Sequence, residues 1–153
     1  MNRFFVDLHI HLGRDGAGNP VKISASRDLT VAGVIEECAL RKGVDVAGVV
    51  DCHSPGVLAD LRRLVESGGA EELPGGGVRA RIEGPARRHT EVVLVAASEV
   101  EVVVNGGPCH LVVYLPTLDS MERFSSWLGP LVRNIRLSSQ RCDAAAADVV
   151  EQA

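Results

Sequence analysis

The sequence predicts an α/β domain with largely parallel strands and helices packed around them. Two observations carry that prediction. Apolar, strand-like runs alternate with helix-patterned stretches from end to end, and Gly, Pro and capping residues punctuate the alternation. The 153 residues are also 46% hydrophobic, enough for one buried core. Aromatics are only 3%, so Val, Leu, Ile and Ala must build that core. A net charge of -4 gives no global basic footprint for nucleic acid, although divalent ions bound to carboxylates would cancel part of it locally.

Phe4 to His11 reads as the first strand. Alternation puts Val6, Leu8 and Ile10 on one face and Asp7, His9 and His11 on the other. Two imidazoles two residues apart can grip one metal ion or two neighbouring ones, with Asp7 behind them to orient a ring or join the coordination. A half-exposed strand with a wet polar face explains the same pattern more simply. A polar loop follows, Leu12 to Asp28, with Arg14, Asp15, Lys22, Ser24 and Ser26 where substrate contacts commonly sit.

Thr30 is placed as a helix N-cap, with Leu29 and Val34 as a hydrophobic staple, and Gly43 stops the helix after Lys42. Val44 to Val50 is a buried strand ending in Asp51-Cys52-His53-Ser54-Pro55. Asp51 and His53 again lie two apart at a strand end, while Ser54 and Pro55 open a helix running to about Ser67. The stretch from Gly68 to His89 reads as a flexible loop. Its Arg79, Arg81, Arg87 and Arg88 suit a solvated surface, with contact to a phosphate backbone as the alternative.

Glu91 to Val104 is the strongest strand signal. Glu99 and Glu101 share a face of it, and two adjacent glutamates on an apolar strand repel unless a cation sits between them. Gly106-Gly107 then turns the chain into a strand from Cys109 to Leu115 that carries His110. A helix is expected from Asp119 to Leu128 with Trp127 inward, broken at Gly129-Pro130, and a second helical run from there to Ile135. Ser138-Ser139-Gln140-Arg141 is loop-like, and Asp143 would cap a last Ala-rich helix.

Cys38, Cys52, Cys109 and Cys142 form no Cys-x-x-Cys pair. The N-terminus lacks a signal-peptide pattern, and no apolar run reaches the ~20 residues of a membrane span. The expectation is a soluble cytoplasmic protein with free thiols and no membrane partner.

In α/β folds, sites are built where strands end and loops begin. His9 and His11, Asp51 and His53, Glu99 and His110 all fall at such positions, as candidate ligands for a cluster of Zn, Mn or Fe ions that activates water against a phosphate. Asp7-Leu8-His9-Ile10-His11 resembles the first motif of the PHP (polymerase and histidinol phosphatase) superfamily of phosphoesterases. Phe4 to Gly13, Pro20 to Ser26, Val49-Val50-Asp51-Cys52-His53-Ser54-Pro55 and Leu137-Ser138-Ser139-Gln140-Arg141 resemble the endonuclease Q family within it. The resemblance implies a distorted β/α barrel with two or three metals. It also implies cleavage of DNA 5′ to deaminated bases or abasic sites.

By the same resemblance His9 and His11 are first-motif ligands, Asp51 or His53 second-motif ligands, Glu99 the bridging carboxylate and His110 a further ligand. Asp7 and Glu99 would be the catalytic carboxylates, and Arg14, Lys22, Ser138 and Arg141 would touch substrate. That family continues well past this length, and a β/α barrel takes ~250 residues. The expectation is therefore a partial barrel over residues 1–141, followed by an Ala-rich helical tail over 142–153. Weak or absent cleavage and self-association through an uncovered sheet edge go with it. Two alternatives are a non-catalytic metal-binding remnant and an amidohydrolase-type hydrolase. The second calls for a downstream bridging lysine, whereas Lys22 and Lys42 come early.

Overall fold

The computed structural model describes residues 3–82 and 91–153. Its sheet contains β1 (Val6–Ile10), β2 (Val46–Val49), β3 (Ala70–Glu72), β4 (Val78–Arg81), β5 (Glu91–Val104) and β6 (Gly107–Leu115). The order is β1-β2-β5-β4-β3, and β6 also pairs with β5. β1, β2 and β5 are mutually parallel neighbours, whereas β3–β4, β4–β5 and β5–β6 are antiparallel. The fold is thus mixed α/β, and among the described residues the sheet is open.

Two stretches depart from the expected set of parallel strands. The stretch read as a loop holds the β3–β4 hairpin, turned by Gly75-Gly76-Gly77. Across it Arg79 and Arg81 pair with Glu71 and Glu91 rather than reaching outward for phosphate; Arg87 and Arg88 lie outside the described residues. β6 runs back antiparallel because the turn at Asn105 and Gly106 leaves no room for the crossover that a parallel return needs.

Helix α1 (Val31–Glu36) starts as read: the Thr30 hydroxyl accepts the Gly33 N–H at 3.2 Å. It continues as a π-helical turn, Glu37–Lys42, which no sequence signal announced. Gly43, at φ 65, ends it in the left-handed conformation that glycine tolerates. α2 spans Pro55–Glu66, but Ser54 does not cap it; its hydroxyl donates to the Arg136 carbonyl at 3.1 Å. α3 (Leu118–Leu128) is closed by a reciprocal capping box between Thr117 and Ser120, and Trp127 packs against Phe124 at 5.6 Å.

The expected helical run to Ile135 is only a 3-10 turn, Gly129–Leu131, after which Val132 is extended. Pro130 has no N–H with which to continue a ladder. α4 (Ala146–Glu151) is short and has Ala145 as its N-cap, with Asp148 bonding back to it, not the expected Asp143 cap, and Val149 and Cys142 are buried in the common core.

One face of the sheet packs on the helices. Ala47, Val49, Leu94 and Ala96 join Val31, Val34 and Ile35 of α1, Val57 and Leu61 of α2, and Met121, Phe124 and Leu128 of α3 in one aliphatic cluster. Alternation sends Gly48, Ala97, Glu99 and Glu101 to the other face. Buried apolar area of this kind contributes about 25 cal/mol per Å² and holds the sheet rigid behind whatever lies on that second face. No helix among the described residues is long and apolar enough to cross a membrane.

Candidate metal centre

The placement of His9 and His11 depends on an irregularity in β1. Val6 and Asp7 lie opposite Val46 and Ala47, but Ile10 lies opposite Val49, so three steps along β1 match two along β2. That is a bulge at Leu8 and His9, and one extra residue moves every later side chain to the other face. Asp7, beside Ala47, therefore shares the helix-packed face with Ile10. His9 and His11 turn to the face of Gly48 and Glu99. The expected common face for Asp7, His9 and His11 is corrected accordingly. Asp7 stays exposed, and its carboxylate accepts the His9 backbone N–H at 3.2 Å.

Glu99 stands at the centre, 5% exposed, just beyond the point where β2 stops pairing with β5. His9 Nε2 lies 3.4 Å from its Oε1 and His11 Nε2 lies 3.3 Å from its Oε2. His110 Nδ1 approaches Oε1 at 3.2 Å, and its Nε2 is 3.5 Å from Glu101. On the other side, Lys22 Nζ is 3.6 Å from Oε2, and the Ser139 hydroxyl donates to that same oxygen. Lys22 also donates to Ser139 at 2.6 Å. Burial alone would raise the Glu99 pKa; the Ser139 and His110 hydrogen bonds and the charges of His11 and Lys22 outweigh it and hold the carboxyl at about 2.

Asp51, fully buried, stands behind His11 and outside the triad that converges on Glu99. Its Oδ1 meets His11 Nδ1 at 3.0 Å and its Oδ2 accepts the Leu12 N–H at 2.6 Å. A carboxylate on Nδ1 fixes the tautomer that leaves Nε2 free for a metal. Ser138, read as a substrate contact, is buried with its hydroxyl 3.1 Å from the same Nδ1.

His53, expected among the ligands, is taken up elsewhere. Its Nδ1 meets the Ser98 hydroxyl at 2.8 Å and its Nε2 the Leu137 carbonyl at 3.3 Å. A neutral ring that donates to Leu137 and accepts from Ser98 satisfies both. Burial, the largest influence, lowers its pKa against the pull of Leu137, Asp51 and Glu99. His53 thus ties the 137–140 segment to the sheet. Arg141 is exposed and bridged through its backbone to Glu101, whereas Arg14, half-buried, bridges through its backbone to Pro20.

His9, His11 and Glu99 each offer one ligand atom, all within 4.8 Å of one another. Zn–N and Zn–O bonds of ~2.0–2.2 Å separate tetrahedral ligands by roughly 3.3–3.5 Å, and the contacts of His9 Nε2 with Oε1 and of His11 Nε2 with Oε2, at 3.4 and 3.3 Å, match that separation. Ser139 is the participant that spacing could not single out, and Lys22, expected to touch substrate, pairs with Glu99 and Ser139. Lys22 is far from Glu99 in sequence yet beside it in space, and Ser139 has the left-handed φ of 52, rare for a residue with a side chain.

The chain is therefore an α/β protein with a candidate metal-binding triad on the free face of its sheet. No protein-family model matches it, and no solved structure does. The uncharacterized protein YqxK of Bacillus subtilis (strain 168) is 40% identical over 143 residues, which take in 92% of this chain and 35% of that protein. The chain thus spans about a third of the length of the curated relative it matches.

Proposed function

We propose that this chain is the metal-binding N-terminal part of a phosphoesterase of the PHP type. The proposed activity is like that of endonuclease Q, cleaving DNA beside deaminated bases or abasic sites. The observation that carries the reading is the triad of His9, His11 and Glu99 with Asp51 set behind His11. In this reading the free face is the inner wall of a distorted barrel. The exposure of Val6 and Leu8, which the bulge leaves on that face, supports it.

A divalent ion (Zn, Mn or Fe) held there supplies Lewis acidity toward a phosphate oxygen and toward water. The residues do the rest. His9 and His11 offer neutral nitrogens, and Asp51 keeps His11 in the right tautomer. Glu99 remains ionised, with His9 and His110 at Oε1 and His11 at Oε2, an arrangement that suits a bridging carboxylate in a centre of two or three ions. Lys22, beside Glu99, together with Arg14 and Arg141, would supply the cations for phosphate contact in this reading. The four free thiols suit a cytoplasmic setting. A non-catalytic metal-binding role is the second reading, favoured because only three ligands converge among the described residues.

Metal analysis of the purified chain tests the site: at least one tightly held divalent ion is expected, lost in the His9→Ala, His11→Ala double variant. Finding none in the parent chain rejects the metal reading. Nicking of duplex DNA containing one deoxyuridine separates the two roles: cleavage supports the endonuclease, and metal without cleavage supports the binding role.

A further inference from the structure

The geometry assigns Tyr114 a positioning role: its hydroxyl clamps the β1 bulge that turns His9 and His11 toward Glu99, and so tunes the affinity of the metal centre. This rests on the metal reading above and deepens it by adding a residue outside the ligand set.

Three observations converge. Tyr114 donates to the Leu8 carbonyl at 2.9 Å, a contact between β6 and β1 although β5 and β2 lie between them. Its ring must cross the free face to get there, and the register puts it on that face, since Tyr114 pairs with Ala97 and Val112 with Glu99. The path is open because the intervening residues are small: Ala97 on β5 and Gly48 on β2. At Gly48 the Leu8 backbone folds in so closely that a Cβ would stand 2.4 Å from the Leu8 carbonyl oxygen. The bulge thus presses its carbonyl inward over Gly48, and the phenol holds that carbonyl from the far side of the sheet. A regular β1 would carry His9 and His11 on the opposite face from Glu99, so whatever pins the bulge also pins the ligands. Tyr114 itself is 43% exposed, which makes its hydrogen bond more informative than its packing.

Tyr114→Phe keeps the ring and removes only the hydroxyl. Cobalt(II) titration, followed by the visible absorption of the bound ion, is expected to show about tenfold weaker binding in the variant, as for other groups that orient ligands from behind. Equal affinity in the two proteins would overturn the clamp. Histidine ring resonances of the metal-free proteins supply an independent readout: His9 should shift in Tyr114→Phe while His53 stays in place. If the parent chain takes up no cobalt, the metal reading fails. The clamp is then judged by those resonances alone, and an unmoved His9 ring would refute it.

Discussion

Because Asp51 accepts the Nδ1 proton of His11 at 3.0 Å, the Nε2 lone pair of that ring is left facing Glu99. Replacing Asp51 by Asn permits the opposite tautomer and loosens the ring. Asp51→Asn is expected to weaken metal binding by about 10–100-fold, measured by competition with a chromophoric chelator. Glu99 makes the second argument at this scale. Its carboxyl is held at about 2, below its ordinary 4.5, so the folded state favours the ionised form. Its contribution is complete above pH 4.5 and is lost as pH falls toward 2. At ~1.4 kcal/mol per unit this amounts to roughly 3 kcal/mol. Urea unfolding of the parent chain should weaken across that window, and Glu99→Gln should flatten this part of the dependence.

Among the elements, β1 and the segment 137–140 decide the site. The bulge depends on a bare position in β2, since any side chain at Gly48 meets the Leu8 backbone. Gly48→Ala is expected to cost about 1–3 kcal/mol as an overpacked site, read as a lower denaturant midpoint, with metal affinity falling alongside. The 137–140 segment is fastened by backbone and side chain together. Ser138 N–H donates to Val21, Glu101 N–H donates to Gln140, and His53 holds Leu137. This fastening is why Ser139 can keep its strained φ and still reach Glu99.

Across the whole molecule, the helix-packed face is closed and the other face is not. Phe4 and Phe5, just ahead of edge strand β1, and Val6 and Leu8 within it are 68%, 66%, 53% and 42% exposed, apolar surface of the kind proteins ordinarily cover. The chain is expected to self-associate through this edge. Sedimentation velocity should show a concentration-dependent rise in mass that Phe5→Lys with Val6→Lys abolishes; a monomer at all concentrations would reject the idea.

Much of this was legible in order along the chain, because it depends on neighbours. The span Glu91–Val104, the Thr30 cap, the Gly43 stop and the paired His9 and His11 are all written in residues a few places apart. Period and capping chemistry act locally, so they survive without knowledge of the fold. Tertiary structure decided the rest. Two pairs looked alike, His9 with His11 and Asp51 with His53, yet only the first turns both nitrogens toward Glu99. In the second pair Asp51 serves His11, and burial between Ser98 and Leu137 spends His53 on structure. Asp7 fell out of the cluster through a bulge that alternation cannot foresee, and Ser139 entered it from far along the chain. Residue types that can bind a metal are set by sequence. Which of their atoms converge is set by strand register and by what else competes for each nitrogen and oxygen.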